Sequence, residues 1–144
     1  MTPPAPTKAC AFCGIVAGEL DAVIVGEREQ TIAFLDRSPL FKGHVLVVPR
    51  AHVETLPELE PALRDALMVH VQEIASVLPS ALDADGTFVA LNNVISQSVP
   101  HVHWHVVPRR RKDGLRGFFW PRVKYESVEE AQSYADRIRA APLS

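Results

Sequence analysis

Between Pro100 and Pro108 the chain alternates strictly: His101-Val102-His103-Trp104-His105-Val106-Val107. Successive side chains of a strand point to opposite faces, so His101, His103 and His105 share one face, about 7 Å apart, and Val102, Trp104 and Val106 share the other. The apolar set must be the core side. Three of the chain's six histidines thus line up on a surface backed by a packed sheet. A lone histidine is usually a satisfied ring with no task; three in alternation point to chemistry.

The rest of the chain predicts what surrounds this strand. Val23 to Glu27 and Thr31 to Leu35 are short β-favouring runs split by charged residues, as in a hairpin. Gly43 opens His44-Val45-Leu46-Val47-Val48, a buried strand stopped by Pro49. Leu63, Leu67, His70, Val71, Ile74, Val77 and Leu78 recur at three and four, which predicts a long helix with Pro61 in its first turn and Pro79 at its end. Thr87 to Leu91 reads as a further strand, and the histidine row as one running from His101 to Val107. Ser127 and Glu130 form a capping box ahead of a helix whose stripe is Val128, Ala131, Tyr134, Ala135 and Ile138. Short loops and one long central helix favour an α+β domain around an antiparallel sheet over a doubly wound parallel one. With no repeat and no composition break, the expectation is a single domain over residues 8–144 after a loose Pro-rich tail over residues 1–7.

Bulk properties exclude more than they assign. The 144 residues are 47% hydrophobic and 22% charged, with a net charge of −2. That is no global basic field, so nucleic acid and anionic membranes are not indicated, and any phosphate must be held locally. No run approaches the roughly 18–20 apolar residues of a membrane span, and Met1 to Pro6 lacks a signal peptide's layout, so a cytoplasmic location is expected. A disulfide between Cys10 and Cys13, the only cysteines, would close too short a loop to stabilise much. The pair fits a metal clip better than a redox motif, which belongs at a strand–helix junction.

Two uses of the histidine row compete on the residues alone. It could bind a catalytic metal, since His-x-His can present two imidazoles to one zinc with an open position for water. Alternatively, one imidazole attacks phosphorus while its neighbours manage charge and protons. Gln97 and Ser98 bring neutral donors suited to a phosphoryl oxygen, and no carboxylate lies in the segment to complete a His/Asp metal site. The second use is favoured.

The segment Gln97-Ser98-Val99-Pro100-His101-Val102-His103-Trp104-His105-Val106-Val107 resembles the signature of the histidine triad (HIT) family. The likeness runs back through Phe34 to Pro39, Lys42 to Pro49 and Cys10-Ala11-Phe12-Cys13, covering about residues 8 to 110. The resemblance implies a covalent nucleotidyl-phosphohistidine on His103, with His105 contacting the phosphate and helping to protonate the leaving group. His44 would support the triad and Ser98 would donate to the phosphate, with Gln97 beside it. Asp36 matches the acidic position that accepts from ribose hydroxyls. Phe12, Ile15, Phe34 and Arg37 fall where the family builds its nucleobase slot, Arg37 in place of an apolar residue. Asn92 or Asn93 matches a phosphate-contacting amide. Some relatives hold a structural zinc, and their ligand positions are here Cys10, Cys13, His52 and His101; two thiolates and two imidazoles make a closed tetrahedral set.

The implied reaction is cleavage at the α-phosphate of a purine nucleoside phosphoramidate or mixed anhydride, releasing a nucleoside monophosphate, with no metal in the chemistry. Alternatives are dinucleoside polyphosphate cleavage, nucleotidyl transfer, or a nucleotide-binding module with little turnover. A homodimer is implied by resemblance as well. Blander readings stand beside these. Asp36 could simply start a turn before Arg37-Ser38-Pro39. His70 is expected at the rim of its helix, Arg109 to Lys112 as a solvated charge run, and Phe118 to Pro121 as core or dimer contact.

Overall fold

The computed structural model describes residues 10–116 and 121–143. The chain falls into two units, divided between Asp113 and Gly114. In the first, α1 (Ala11–Val16) is followed by β1 (Ile24–Glu27), β2 (Thr31–Leu35), β3 (Val45–Pro49), α2 (Pro61–Leu82), β4 (Gly86–Ala90) and β5 (Trp104–Arg109). The strands form one sheet in the order β1-β2-β3-β5-β4, antiparallel throughout. The expected α+β architecture is the one observed.

Both faces of the central strands are covered. On one face Ala33, Val45, Val47, Val102, Trp104 and Val106 pack against Leu67, Val71, Ile74 and Leu78 of α2. On the other, Ile32, Phe34, Leu46 and Val48 pack against Cys10, Phe12 and Cys13. This explains why β3 is an unbroken apolar run: a strand buried on both sides has no solvent face to fill with polar residues. Of the α2 stripe, Leu67, His70, Val71, Ile74 and Leu78 are buried, whereas Val77 is half exposed.

Prolines were expected to stop elements that in fact run through them. Helix α2 continues past Pro79 to Leu82 and ends on Asp83 in the left-handed region, φ 54°, with the Ala84 N–H returning to the Pro79 carbonyl. A proline inside a helix loses its own N–H bond and crowds the carbonyl four residues back. Close to the helix's end, with Leu78 anchored in the core, the last turn survives that cost. Likewise β5 passes through Pro108 to Arg109. Its pairing with β3 spans only Trp104 to Val106, so only β4 flanks Pro108. Gly43, ahead of β3, has φ +99°, and a Cβ there would lie 2.3 Å from Leu82 Cδ1. The positive φ, which residues with a Cβ rarely adopt, is what calls for glycine here.

The second unit contains α3 (Val128–Ala140). The Ser127 hydroxyl accepts from the Glu130 N–H at 3.1 Å, and the Glu130 carboxylate reaches back to the Glu126 N–H at 3.0 Å, one residue before the position a capping box predicts. The expected apolar stripe is not buried: Val128, Tyr134 and Ile138 are all exposed. Phe118 to Trp120 lie outside the described residues, and Pro121 is exposed. Among the described residues no helix is long and apolar enough to cross a membrane.

Candidate functional site

The histidine row does not form one continuous strand face. Strand β5 begins only at Trp104, and the backbone ahead of it is held separately, with the Val102 N–H on the Val53 carbonyl at 2.7 Å. The row therefore divides. The His103 and His105 rings stay together, centroids 5.0 Å apart, while His101 turns to His52, 5.2 Å away. The apolar alternates, Val102, Trp104 and Val106, all reach the core as expected.

His101 joins the cysteines. It is completely buried, and its Nε2–H has only the Pro49 carbonyl to donate to, at 2.8 Å. Its Nδ1 is consequently the nitrogen with a free lone pair, and that atom lies 3.5 Å from both the Cys10 and Cys13 sulfurs. Nδ1 of His52 lies 3.2 Å from the Cys13 sulfur. One ligand atom from each of Cys10, Cys13, His52 and His101 falls within 4.8 Å of the others. Both cysteines are buried and not joined in a disulfide, and Cys10 also caps α1. Two soft sulfurs and two imidazole nitrogens converge on one point, a donor set that fits tetrahedral zinc. Burial pushes the His101 imidazole down to about 4, which keeps the ring in its ligating form.

The other histidines form a chain of fixed polarity. The Leu40 N–H donates to His44 Nδ1 at 3.1 Å, and a backbone N–H cannot accept. Neutral His44 must then carry its proton on Nε2, which donates to His105 Nδ1 at 2.9 Å. By the same logic His105 carries its proton on Nε2. His103 is opposite in sense: its Nδ1–H donates to the His101 carbonyl at 2.8 Å, so its Nε2 holds the lone pair. Among the described residues neither Nε2 has a hydrogen-bond partner, and no buried side-chain nitrogen or oxygen is left unpaired. Both atoms thus keep some contact with solvent, although the His103 ring as a whole is buried. One is a nucleophilic lone pair, the other a donor.

Electrostatics keep these rings neutral. Burial pushes His105 down to about 4, with His103 and His44 adding to the effect and Asp36 opposing it. His103 and His44 are also lowered, in each case chiefly by burial. Asp36 reaches to 3.8 Å from His44 Nε2 and accepts from the Ser38 N–H at 2.9 Å. It is therefore a turn residue and a neighbour of the histidine pair at once. Asp36, His44 and His105 also bring ligand atoms within 4.8 Å. His44 and His105 form the hydrogen-bonded part of that trio, with the Asp36 carboxylate beside them.

The remaining expected residues are distributed as follows. Phe12 lies edge-on to His103 at 5.0 Å and to Phe34 at 5.4 Å, and Ile15 packs on the same cluster. Arg37 and Ser98 are exposed. Gln97 spans two loops, its carbonyl oxygen accepting from the Val94 N–H at 2.9 Å and its amide donating to the Glu54 carbonyl at 2.6 Å. Asn92 donates to the Ser96 carbonyl at 3.2 Å, and Asn93 accepts from the Leu56 N–H at 2.8 Å. These amides brace the loop ahead of the triad. His70 is fully buried, not at a rim, and pairs with the Thr31 hydroxyl at 2.8 Å. Arg109 is held by Asp113 at 2.6 Å. The Leu40 N–H and the Pro49 carbonyl, which select histidine tautomers, have no signature in the sequence, because nearly every residue carries those groups.

The chain is 31% identical to an adenosine 5′-monophosphoramidase of Schizosaccharomyces pombe, over 90% of this chain and 95% of that protein. It resembles a crystal structure of a HIT family member from Bacillus subtilis, with a TM-score of 0.85 and 32% identity over 95% of this chain and 99% of that one. It also resembles a zinc-bound histidine triad family protein from Mycobacterium smegmatis, with a TM-score of 0.71 and 32% identity, covering 92% of this chain and 98% of the other. Residues 17–112, the span holding His44, His103, His105 and two members of the Cys/His cluster, match the HIT domain, and the chain belongs to the HIT family.

Proposed function

We propose that this protein is a nucleotide hydrolase that cleaves at the α-phosphate of a purine nucleoside phosphoramidate or mixed anhydride through a nucleotidyl-phosphohistidine on His103. The observation that carries this reading is the opposite polarity of two adjacent rings: an open lone pair on His103 Nε2 beside an open N–H on His105 Nε2. His103 Nε2 bonds to phosphorus as the bond from phosphorus to the leaving group breaks, and the His105 Nε2–H hydrogen-bonds the departing atom, which takes its proton from solvent. Water then attacks the phosphohistidine, gives up its proton to solvent and releases the nucleoside monophosphate. The His101 carbonyl stabilises the positive charge that forms on the His103 ring. Ser98 donates to the phosphate, and Asp36 accepts from the ribose hydroxyls. Phe12, Ile15, Phe34 and Arg37 flank the base. Asn92 and Gln97 shape the phosphate loop.

Cys10, Cys13, His52 and His101 hold a structural zinc in this reading. When bound, zinc would tie the N-terminal segment to the start of the triad without touching phosphorus. The protein is cytoplasmic and works as a homodimer, as its family resemblance implies.

The test is to offer the protein adenosine 5′-phosphoramidate and a dinucleoside polyphosphate separately, with and without a rapid quench. Turnover of the phosphoramidate, with a trapped nucleotidyl adduct absent from His103→Ala, is expected. Undiminished hydrolysis by His103→Ala would end the claim. Faster turnover of the dinucleoside polyphosphate would reassign the leaving group.

A further inference from the structure

We propose that the turn between β2 and β3 is a tautomer lock for His105. In it, Leu40 and Asp36 hold His44 as a one-way donor, so that His105 always presents a proton to the substrate. A free imidazole exchanges between its two neutral tautomers, and a ring that presented a bare Nε2 to a phosphate or a leaving group would repel it. The site removes that choice from both sides of His44. At Nδ1 the Leu40 N–H, 3.1 Å away, can only donate, so a proton there would face another proton. At Nε2 the Asp36 carboxylate, 3.8 Å away, favours the N–H dipole. The His44 Nε2–H then imposes the same choice on His105 Nδ1 at 2.9 Å.

Each ring is held in place. His44 is almost fully buried just ahead of β3, and its backbone is tied to the turn by bonds from its N–H to the Phe41 carbonyl at 3.0 Å and from the Asp36 N–H to its own carbonyl at 2.9 Å. His105 is fixed on β5 opposite Leu46 of β3. The titratable groups facing this pair are Asp36 and His103. Burial lowers both rings, in keeping with a pair that works uncharged. Leu40 acts through its backbone and Asp36 through its charge, so both are positioning residues for His105. The ribose contact assigned to Asp36 above is a separate use of the same carboxylate.

The lock is read directly by nitrogen-15 NMR of histidine-labelled full-length protein, without substrate, at neutral pH. Long-range proton–nitrogen correlations report which ring nitrogen carries the proton. The expected result is Nε2–H for His44 and His105, and Nδ1–H for His103. Two variants then separate the lock from simple packing. In His44→Gln the amide oxygen can accept from Leu40 while the amide nitrogen donates to His105, so His105 should remain Nε2–H. In His44→Glu only an acceptor faces His105, so its ring should switch to Nδ1–H, and kcat should fall at least tenfold further than in the Gln variant, with KM changed less. An Nδ1–H signal for His105 in the wild type, or an unchanged Nε2–H signal in His44→Glu, would overturn the proposal. The kinetic arm alone rests on the proposed hydrolase reading. Expected tautomers in a protein that turns over no nucleotide would support the lock and sink that reading.

Discussion

His101, His103 and His105 are chemically identical side chains two residues apart, yet each carries its proton differently because each meets a different backbone or ring partner. The Pro49 carbonyl takes the Nε2–H of His101, the His101 carbonyl takes the Nδ1–H of His103, and His44 donates to Nδ1 of His105. One ring turns a lone pair to the cysteines, one leaves its Nε2 lone pair open and one leaves its Nε2–H open. Asp36 shows the same economy, with one oxygen on the Ser38 N–H and the other near His44. If it also accepts from ribose hydroxyls, Asp36→Ala should weaken binding of a nucleoside monophosphate by about tenfold, the scale of hydrogen bonds to a charged group. Affinity for the 2′,3′-dideoxy analogue should change far less. Isothermal titration with both ligands checks this, and equal losses for the two would leave Asp36 as a turn and relay residue only.

At the scale of elements, the informative junction is the stretch just before β5. Because β5 starts at Trp104, His101 is free to swing toward α1, and the Cys/His cluster joins the N-terminus, the segment after β3 and the start of the triad. A metal there contributes folding free energy, since an unfolded chain does not preform the site. Metal analysis should find about one zinc per chain for one closed four-ligand site. Cys10→Ser with Cys13→Ser should remove it and lower the melting temperature by roughly 10 °C, the equivalent of about 2–3 kcal/mol. Turnover at low temperature should fall only in part, because His105 stays on β5 and His103 is still held just ahead of it by the His101 carbonyl. A variant that kept its zinc, alongside a wild type whose turnover stopped on chelation while it stayed folded, would place the metal on the histidine row.

For the whole molecule, folding buries histidines in the neutral form. His105 is pushed from 6.5 down to about 4, and His44 and His70 are lowered too, all chiefly by burial. The unfolded chain takes up these protons near pH 6.5, the folded one only at lower pH. The unfolded state therefore binds more protons across that window, and stability must rise with pH there. These rings' contribution is fully present above about pH 6.5. It is lost progressively as pH falls toward the folded values. Thermal melts should thus be nearly constant from pH 8 to 7 and decline steadily below 6.5. The same decline should appear in the double cysteine variant, where zinc release cannot cause it. A melting temperature that held constant down to pH 5 would contradict this account.

Much of this was legible beforehand, for reasons tied to period and residue type. Alternation marked Val102, Trp104 and Val106 as core, the three-and-four spacing marked Leu67, Val71, Ile74 and Leu78, and Cys10-x-x-Cys13 marked a metal clip, because each pattern is a local consequence of backbone geometry. Local patterns could not say that Pro79 and Pro108 would be tolerated, since that depends on what lies on the side of the missing N–H. Nor could they divide the histidine row. The alternating sequence by itself determined that imidazoles would gather on one side of a packed strand. Only the tertiary structure decided which nitrogen of each ring is free, because the deciding partners are backbone groups of Leu40, Pro49 and His101, and a backbone N–H or carbonyl takes its role from where the fold puts it.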